Sequence, residues 1–167
     1  DALTVCTGWG AREWWAIHPG EGNLKTRTLG LVSSIAAGLA IALPNRKVIA
    51  IDGDGAFLMN LCGLPTIALQ NPGNLIHLLF DNEIYEASGG TATASRHSDA
   101  VVIARGAGYK HARWLTTPEE FHAEFVRAWE RNELTLLAVK VDPGQPKNLP
   151  PLRIDEIENK YRFIRYL

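Results

Sequence analysis

The stretch KVIAIDGDG, residues 47–55, and the stretch LIHLLFDN, residues 75–82, decide the fold. Each begins as a short apolar run and stops abruptly at polar residues, which is the pattern of a buried strand ending in a loop. The residues between them, 56–70, predict a helix that Pro65 kinks. A strand, a helix and a strand of this length form a unit whose strands run parallel. We therefore expect both strands to end at the same edge of one sheet.

The amino-terminal part extends this alternation with short elements. It predicts a strand over residues 3–6, a short helix over 12–16, a polar loop over 18–28 and a helix of small apolar residues over 30–43. Trp14 and Trp15 fall in the short helix, where tryptophans predict core or subunit-interface positions.

The carboxyl-terminal part alternates in the same way. Residues 83–97 have little periodicity and predict an active-site loop. Thr117, Pro118 and Glu120 form a capping box at the start of a helix. The remaining elements are a helix from Ser98 or Asp99 to Ala107 ended by Gly108, strands over 111–115 and 134–141, and a buried helical stripe of Phe121, Phe125, Ala128 and Trp129.

These elements predict an α/β fold with a doubly wound, mostly parallel sheet of about five or six strands, flanked by helices on both faces. Residues 1–146 form the predicted domain. Four prolines lie in residues 143–151. Residues 147–167 then predict a carboxyl-terminal extension with an amphipathic helix, which packs on the domain or on a partner subunit.

Composition excludes several classes of function. The chain has 167 residues, 46% of them hydrophobic, and a net charge of −1. This suits one globular domain and argues against nucleic acid as a main partner. No apolar run reaches the roughly 20 residues of a membrane helix, and no signal peptide is visible. Cys6 and Cys62 predict buried thiols of a reducing compartment, so we expect a cytoplasmic protein.

The two predicted strand ends carry side chains suited to a cation. Asp54 offers a carboxylate and Asn82 an amide oxygen, both hard donors that suit Mg²⁺ or Ca²⁺. A helix starting near Ala56 would point its free N–H groups at the same place, which favours a diphosphate. For the Asp-Gly-Asp-Gly tetrapeptide alone, a simple tight turn is an equally good interpretation.

Two other binding motifs fail on spacing. Gly8 and Gly10 follow a predicted strand as in a dinucleotide fingerprint, but Glu13 occupies the position of the third glycine. A calcium loop starting at Asp52 would need Asp or Asn at its fifth position and glycine at its sixth, where Ala56 and Phe57 stand.

Gly53-Asp54-Gly55, with Asn82 at this spacing, resembles the thiamine-diphosphate (ThDP) binding motif. The chain accordingly resembles the pyrophosphate-binding (carboxyl-terminal or beta) subunit of ThDP-dependent 2-oxo acid decarboxylases. The longer segments TGWGARE (7–13), TLG (28–30) and DNEIYEASGG (81–90) look like phosphonopyruvate and sulfopyruvate decarboxylases. The resemblance covers nearly the whole chain.

The resemblance implies a set of site residues. Asp54, Asn82 and the carbonyl of Ile84 would hold Mg²⁺, with two diphosphate oxygens and one water. Leu29 would support the bent cofactor. The implied cofactor-binding residues are Thr7, Gly8, Arg27, Leu29, Gly30, Gly53, Asp54, Gly55, Ala56, Asn82, Ile84, Tyr85 and Glu86.

The resemblance also implies a lyase that needs a second polypeptide. Such enzymes activate ThDP with a glutamate on a pyrimidine-binding domain, so that residue is expected on a partner (alpha) subunit of a hetero-oligomer. A carboligase of the acetolactate synthase type and a non-catalytic ThDP-binding regulatory subunit stay open as alternatives.

The expected substrate is a small anionic 2-oxo acid, with phosphonopyruvate or sulfopyruvate the first candidates. The relatives usually continue their loop with Gln-Pro-Thr, whereas this chain has Thr91-Ala92-Thr93. Arg96 and His97 follow and offer positive charge to an anionic head group, or lie in solvent as ordinary loop residues.

Overall fold

The computed structural model describes residues 2–144, 146–152 and 154–167, and strands alternate with helices along the chain. The strands are β1 (Leu3–Thr7), β2 (Asn23–Thr26), β3 (Val48–Gly53), β4 (Leu75–Asp81), β5 (Ile84–Tyr85), β6 (Thr91–Ala92), β7 (His111–Leu115) and β8 (Thr135–Lys140). The helices are α1 (Gly8–Ile17), α2 (Val32–Ala42), α3 (Asp54–Leu58), α4 (Gly63–Gln70), α5 (Ala100–Ala107), α6 (Pro118–Arg131) and α7 (Glu156–Tyr166).

Six strands form one parallel sheet in the order β2-β1-β3-β4-β8-β7. The chain starts near the centre, moves to one edge, returns, and then builds the other half, which is the doubly wound topology predicted from the sequence. The expected parallel pairing of β3 with β4 is confirmed, with Gly53 opposite Phe80 near their carboxyl ends. Strands β5 and β6 form a separate antiparallel ribbon.

Helices cover both faces of the sheet. Alternate residues of β3 enter opposite cores: Val48 and Ala50 pack with α2, α4 and α5, whereas Ile49 and Ile51 pack with α1 and α6. Burial on both faces explains why the central strands read as continuous apolar runs rather than as alternating ones.

Strand β2 corrects the prediction of a polar loop over residues 18–28. It is an edge strand that pairs with β1, and its second edge is held by α7. The Asn159 side chain accepts from the Lys25 N–H (2.7 Å) and donates to the Asn23 carbonyl (2.8 Å). The prediction failed because β2 is a polar strand without a local apolar pattern, and a residue 134 positions away holds it in place.

The prediction of a single helix over residues 56–70 is also wrong. The chain instead forms α3, a turn over residues 59–62, and α4. Pro65 does not kink a helix interior, because it lies in the first turn of α4, where its missing N–H has no intrahelical acceptor. Helix α1 likewise begins at Gly8, four residues before its predicted start.

The predicted buried stripe of α6 is correct only in part. Ala128 is buried, but Phe121 and Phe125 are half-buried and Trp129 is 37% exposed. Glu124 is buried in that helix, paired with Arg113 at 2.7 Å. The aromatic side of α6 borders an open cleft. The helical period of the pattern therefore identified the inward face correctly, but the aromatic side chains on it are less buried than predicted.

Several smaller predictions have clear outcomes. Asp99 caps α5 and Gly108 ends it with φ 110°, as expected. Cys6 is buried, and burial raises the pKa of its thiol to about 12, but Cys62 is exposed and not buried as predicted. Within the described residues, no helix is long and apolar enough to cross a membrane.

Candidate functional site

A cleft of about 650 Å³ opens at the carboxyl ends of the central strands and continues between α1 and α6. Most of the residues predicted for the cofactor line it together. They are Thr7, Gly8, Leu29, Gly53, Asp54, Gly55, Ala56, Asn82, Ile84, Tyr85 and Glu86.

Helix α3 begins at the edge of this cleft, directly after β3. Gly53 is its N-cap in an extended conformation, and Asp54 is its first residue. A β-carbon at Gly55 would overlap the ring of Tyr85, so glycine allows this ring of the loop after β4 to lie against the start of α3. The free N–H groups of Gly55 and Ala56 therefore belong to a helix start packed against that loop.

The carboxylate of Asp54 is 3% exposed and is held by two hydroxyls. Thr93 Oγ1 donates to Asp54 Oδ2, and Ser95 Oγ lies 3.0 Å from the same oxygen. Ser95 Oγ is also 2.9 Å from Asp81 Oδ1. The residues come from three elements, since Asp54 opens α3, Asp81 ends β4, and the hydroxyls follow β6.

Lys140 extends this hydrogen-bond network beyond Asp81. Its Nζ donates to Asp81 Oδ2 (2.8 Å) and to Glu83 Oε1 (2.7 Å). Desolvation lowers the pKa of Lys140, but the hydrogen bonds to both carboxylates outweigh it and raise that pKa overall. Glu83 has a left-handed backbone (φ 62°), and its N–H donates to Asp81 Oδ1. The turn around Asn82 is thus held on both sides.

Asn82 is half-buried at the mouth of the cleft. Its Oδ1 accepts from the N–H of Ile84 at 3.1 Å, which fixes the amide within its own turn. This places Asn82 and Ile84 beside each other at the end of β4, next to the strand that leads into Asp54.

The edge is rich in buried carboxylates. Asp52, Asp54 and Asp81 are all buried. Asp52 Oδ2 lies 3.4 Å from His77 Nε2, and Asp81 pairs with Lys140, whereas no ion pair in the described part of the chain involves Asp54. A diphosphate would meet negative charge here unless a cation lay between them.

The residues fit a divalent cation that is shared with a bound anion. Asp54, Asn82 and the Ile84 carbonyl are hard oxygen donors of the kind that Mg²⁺ accepts. Within the ranges that the structure describes, no cluster of three or more His, Cys, Asp or Glu side chains is arranged to hold a metal. A cation bound by one carboxylate and two neutral oxygens would need further ligands, and diphosphate oxygens could be such ligands.

Two predicted residues lie away from the cleft lining. The Arg27 side chain is 82% exposed and pairs with Glu156 at 2.7 Å. Gly30 has φ 83° and its carbonyl accepts from Asn60 Nδ2. The cofactor contacts implied for Arg27 and Gly30 stay predictions.

The predicted loop over residues 83–97 is more ordered than its sequence indicated. It contains the β5–β6 ribbon and two 3₁₀ turns, Glu86–Ser88 and Ala94–His97. Arg96 is exposed and lies 3.7 Å from Glu83, and His97 is exposed. The possible role of these two residues toward an anionic substrate stays a prediction.

Sequence reasoning missed Thr93, Ser95, Asp81 and Lys140 as parts of the site. One signal was available, because Asp81 and Lys140 end neighbouring strands and face each other in register. The hydroxyls had no such signal, since they follow a short ribbon that was predicted as loop. Trp14 was predicted for the core or an interface, and it packs against the domain's own core while its indole donates to Asn23 (3.0 Å).

Known proteins similar to this chain share one family. The chain matches the family described as "Thiamine pyrophosphate enzyme, C-terminal TPP binding domain" over residues 4–139. It is 34% identical over 167 residues to the sulfopyruvate decarboxylase subunit beta of Methanothermobacter thermautotrophicus, covering 99% of this chain and 86% of that protein. It is 28% identical over 163 residues to the phosphonopyruvate decarboxylase of Streptomyces viridochromogenes, covering 97% of this chain but only 41% of that protein.

Solved structures share the fold. The thiamine diphosphate-dependent 4-hydroxybenzoylformate decarboxylase of Rhodococcus jostii has a TM-score of 0.72 at 23% identity, over 87% of this chain and 30% of that one. The 2-oxoglutarate:ferredoxin oxidoreductase of Magnetococcus marinus has a TM-score of 0.70 at 17% identity, over 84% of this chain and 54% of that one.

Proposed function

Because the chain belongs to the thiamine pyrophosphate enzymes, through their carboxyl-terminal TPP-binding domain, we propose that it is the cofactor-anchoring subunit of a decarboxylase for a small anionic 2-oxo acid. The observation that carries the proposal is the cleft where Asp54 and Asn82 meet beside the start of α3. Similarity to sulfopyruvate decarboxylase beta subunits and to phosphonopyruvate decarboxylase supports the substrate class.

In this proposal, different residues of the cleft bind the cation, the diphosphate and the rest of the cofactor. Asp54, Asn82 and the Ile84 carbonyl hold Mg²⁺, and the N–H groups of Gly55 and Ala56 bind the diphosphate. Leu29, partly exposed at the edge, supports the rest of the cofactor. The other predicted contacts are those of Thr7, Gly8, Arg27, Gly30, Gly53, Tyr85 and Glu86.

The chain's own residues would bind and orient the cofactor and the substrate, whereas bound ThDP would supply a carbon nucleophile and an electron sink for the decarboxylation. The loop over residues 83–97 covers the site, and Arg96 and His97 offer positive charge to the head group. The product is an aldehyde.

The partner in this proposal is a pyrimidine-binding alpha subunit that carries the activating glutamate. Two observations support it. The chain spans 86% of a protein named as a beta subunit, and it spans only 42% of the sulfopyruvate decarboxylase of Methanosarcina acetivorans, to which it is 33% identical over 166 residues. The remaining length of that longer protein is enough for a second domain.

Cofactor binding is tested by replacing Asp54 with asparagine, which keeps the shape of the side chain and removes its charge. We expect Mg²⁺-dependent ThDP affinity to fall by about 100-fold or more, since even outer-shell partners of metal ligands contribute 10–100-fold. Isothermal titration calorimetry measures the affinity. Asp142→Asn is the control, because Asp142 is exposed and lines the same cleft. Equal affinity in Asp54→Asn and the unsubstituted chain would refute this cation site.

The substrate class is tested with the reconstituted complex and a panel of 2-oxo acids, by following CO₂ and aldehyde release. We expect phosphonopyruvate or sulfopyruvate to give the highest kcat/KM. Preference for a bulky aromatic or uncharged 2-oxo acid would contradict the proposal.

A carboligase is the second candidate, favoured by one similarity. The chain is 29% identical over 168 residues to a probable acetolactate synthase large subunit of Methanococcus aeolicus, of which the match spans 27%. Product analysis of the same assays separates the two functions, because a carboligase consumes an acceptor and releases no free aldehyde.

A further inference from the structure

Two hydroxyl side chains are buried in a segment that is otherwise mostly exposed. Thr93 and Ser95 are 4% and 7% exposed, whereas Ala92, Ala94 and Arg96 beside them are exposed. Both hydroxyls face the Asp54 carboxylate rather than solvent. Burying two polar groups at this point requires partners that satisfy them, and the partners are carboxylates at the edge of the cleft.

The hydrogen bonds fall on one oxygen of Asp54. Thr93 Oγ1 donates to Oδ2, Ser95 Oγ lies 3.0 Å from Oδ2, and the two hydroxyl oxygens are 2.8 Å apart. In the part of the chain that the structure describes, these are the hydrogen bonds made to the carboxylate. They leave Oδ1 of Asp54 as the oxygen that can face a cation.

Ser95 joins this arrangement to the other side of the site. Its Oγ is 2.9 Å from Asp81 Oδ1, and Asp81 directly precedes Asn82. A serine hydroxyl has one proton, so it donates to one carboxylate at a time. Lys140 Nζ, 2.8 Å from Asp81 Oδ2, supplies a donor to Asp81 when the Ser95 proton points to Asp54.

We propose that Thr93 and Ser95 are positioning residues, which hold Asp54 in one rotamer with Oδ1 directed at the cation. The inference rests on the proposed function, since it concerns the same cation and diphosphate site. Its physical basis is preorganisation: a carboxylate already fixed by hydrogen bonds loses little freedom when the cation binds, whereas a free one must be ordered at that moment.

The test compares two substitutions at each position in the full 167-residue chain. Thr93→Val keeps the shape and removes the hydroxyl, whereas Thr93→Ser keeps the hydroxyl. Ser95→Ala and Ser95→Thr repeat the comparison. Ser98→Ala is the control, because the Ser98 hydroxyl donates to the Ala94 carbonyl in the same segment and does not touch Asp54.

Calorimetric titrations with ThDP measure the affinities for Mg²⁺ and for Ca²⁺, and thermal unfolding without ligand checks that each variant folds. We expect Thr93→Val and Ser95→Ala to weaken Mg²⁺ binding by about 10–100-fold, with Thr93→Ser and Ser98→Ala near the unsubstituted chain. Mg²⁺ demands nearly ideal octahedral geometry and Ca²⁺ tolerates irregular ligands, so the ratio of Mg²⁺ to Ca²⁺ affinity should fall as well.

The outcomes separate the inference from the proposed function. If the unsubstituted chain binds ThDP with Mg²⁺ while the hydroxyl-free variants bind equally well, the inference is overturned and the proposed function stands. An equal loss for both cations would show that the hydroxyls do not orient the carboxylate for the stricter geometry of Mg²⁺, which also overturns the inference. If the unsubstituted chain shows no cation-dependent ThDP binding, the proposed function fails and the inference fails with it.

Discussion

At the scale of single residues, the cleft contains an acidic side chain that the proposed cation site does not use. Glu13 lies on α1 and lines the cleft together with Glu86. Burial raises the pKa of Glu13, and the negative charge of Glu86 raises it further. The fold therefore favours the protonated form of Glu13, and the ionised form opposes folding at neutral pH.

Replacing Glu13 with glutamine should raise the melting temperature at pH 7. A carboxyl group with a raised folded-state pKa reduces stability once pH exceeds its unfolded value of about 4.3, and it has little effect below that value. The gain should thus shrink as the pH falls toward 4. Thermal unfolding from pH 4 to pH 8 measures it, with Glu21→Gln as an exposed control. A gain of equal size at pH 4 and pH 7 would contradict the electrostatic explanation.

At the scale of elements, the contact between α7 and β2 shows how the carboxyl-terminal extension is attached. Asn159 is fully buried and bonds the backbone of both Lys25 and Asn23, and Phe163 of the same helix enters the core. Glu156 adds ion pairs with Lys25 and Arg27. The sequence predicted that this helix packs on its own domain or on a partner subunit, and in the structure it packs on its own domain. The predicted domain boundary near residue 146 stays a prediction.

We expect Asn159→Ala to destabilise the domain by about 2 kcal/mol or more. The substitution leaves a partly buried N–H of Lys25 and a buried carbonyl of Asn23 without partners, and a buried group of this kind costs about 1–3 kcal/mol. Urea unfolding measures the change, and amide hydrogen exchange at Lys25 reports whether β2 opens. Asn148→Ala, at an exposed position before α7, should change neither. Unaltered exchange at Lys25 in Asn159→Ala would show that α7 does not hold the edge strand.

At the scale of the whole molecule, the cleft opens onto a surface that is partly apolar. Large apolar side chains that line it are partly exposed, among them Ile17, Leu29 and Val141. Such a group of apolar side chains beside a functional cleft is typical of a surface that another chain covers.

The isolated chain should therefore bind ThDP with Mg²⁺ but show no decarboxylase turnover. The activating glutamate is expected on the alpha subunit, so addition of that subunit should restore CO₂ release and move this chain into a larger species. Steady-state assays and size-exclusion chromatography with light scattering test both points. Robust turnover by the isolated 167-residue chain would refute the need for a partner.

The sequence alone determined the α/β class, the parallel pairing of β3 with β4 and the placement of Asp54 and Asn82 at one cleft. It did so because buried parallel strands are continuous apolar runs and because short crossovers bring their carboxyl ends to one edge. The edge strand β2, the break between α3 and α4, and the hydroxyls of Thr93 and Ser95 at Asp54 were decided only by the tertiary structure. Each depends on contacts between residues far apart in the chain, such as Asn159 with Lys25 and Thr93 with Asp54. Local patterns of hydrophobicity contain no information about such contacts.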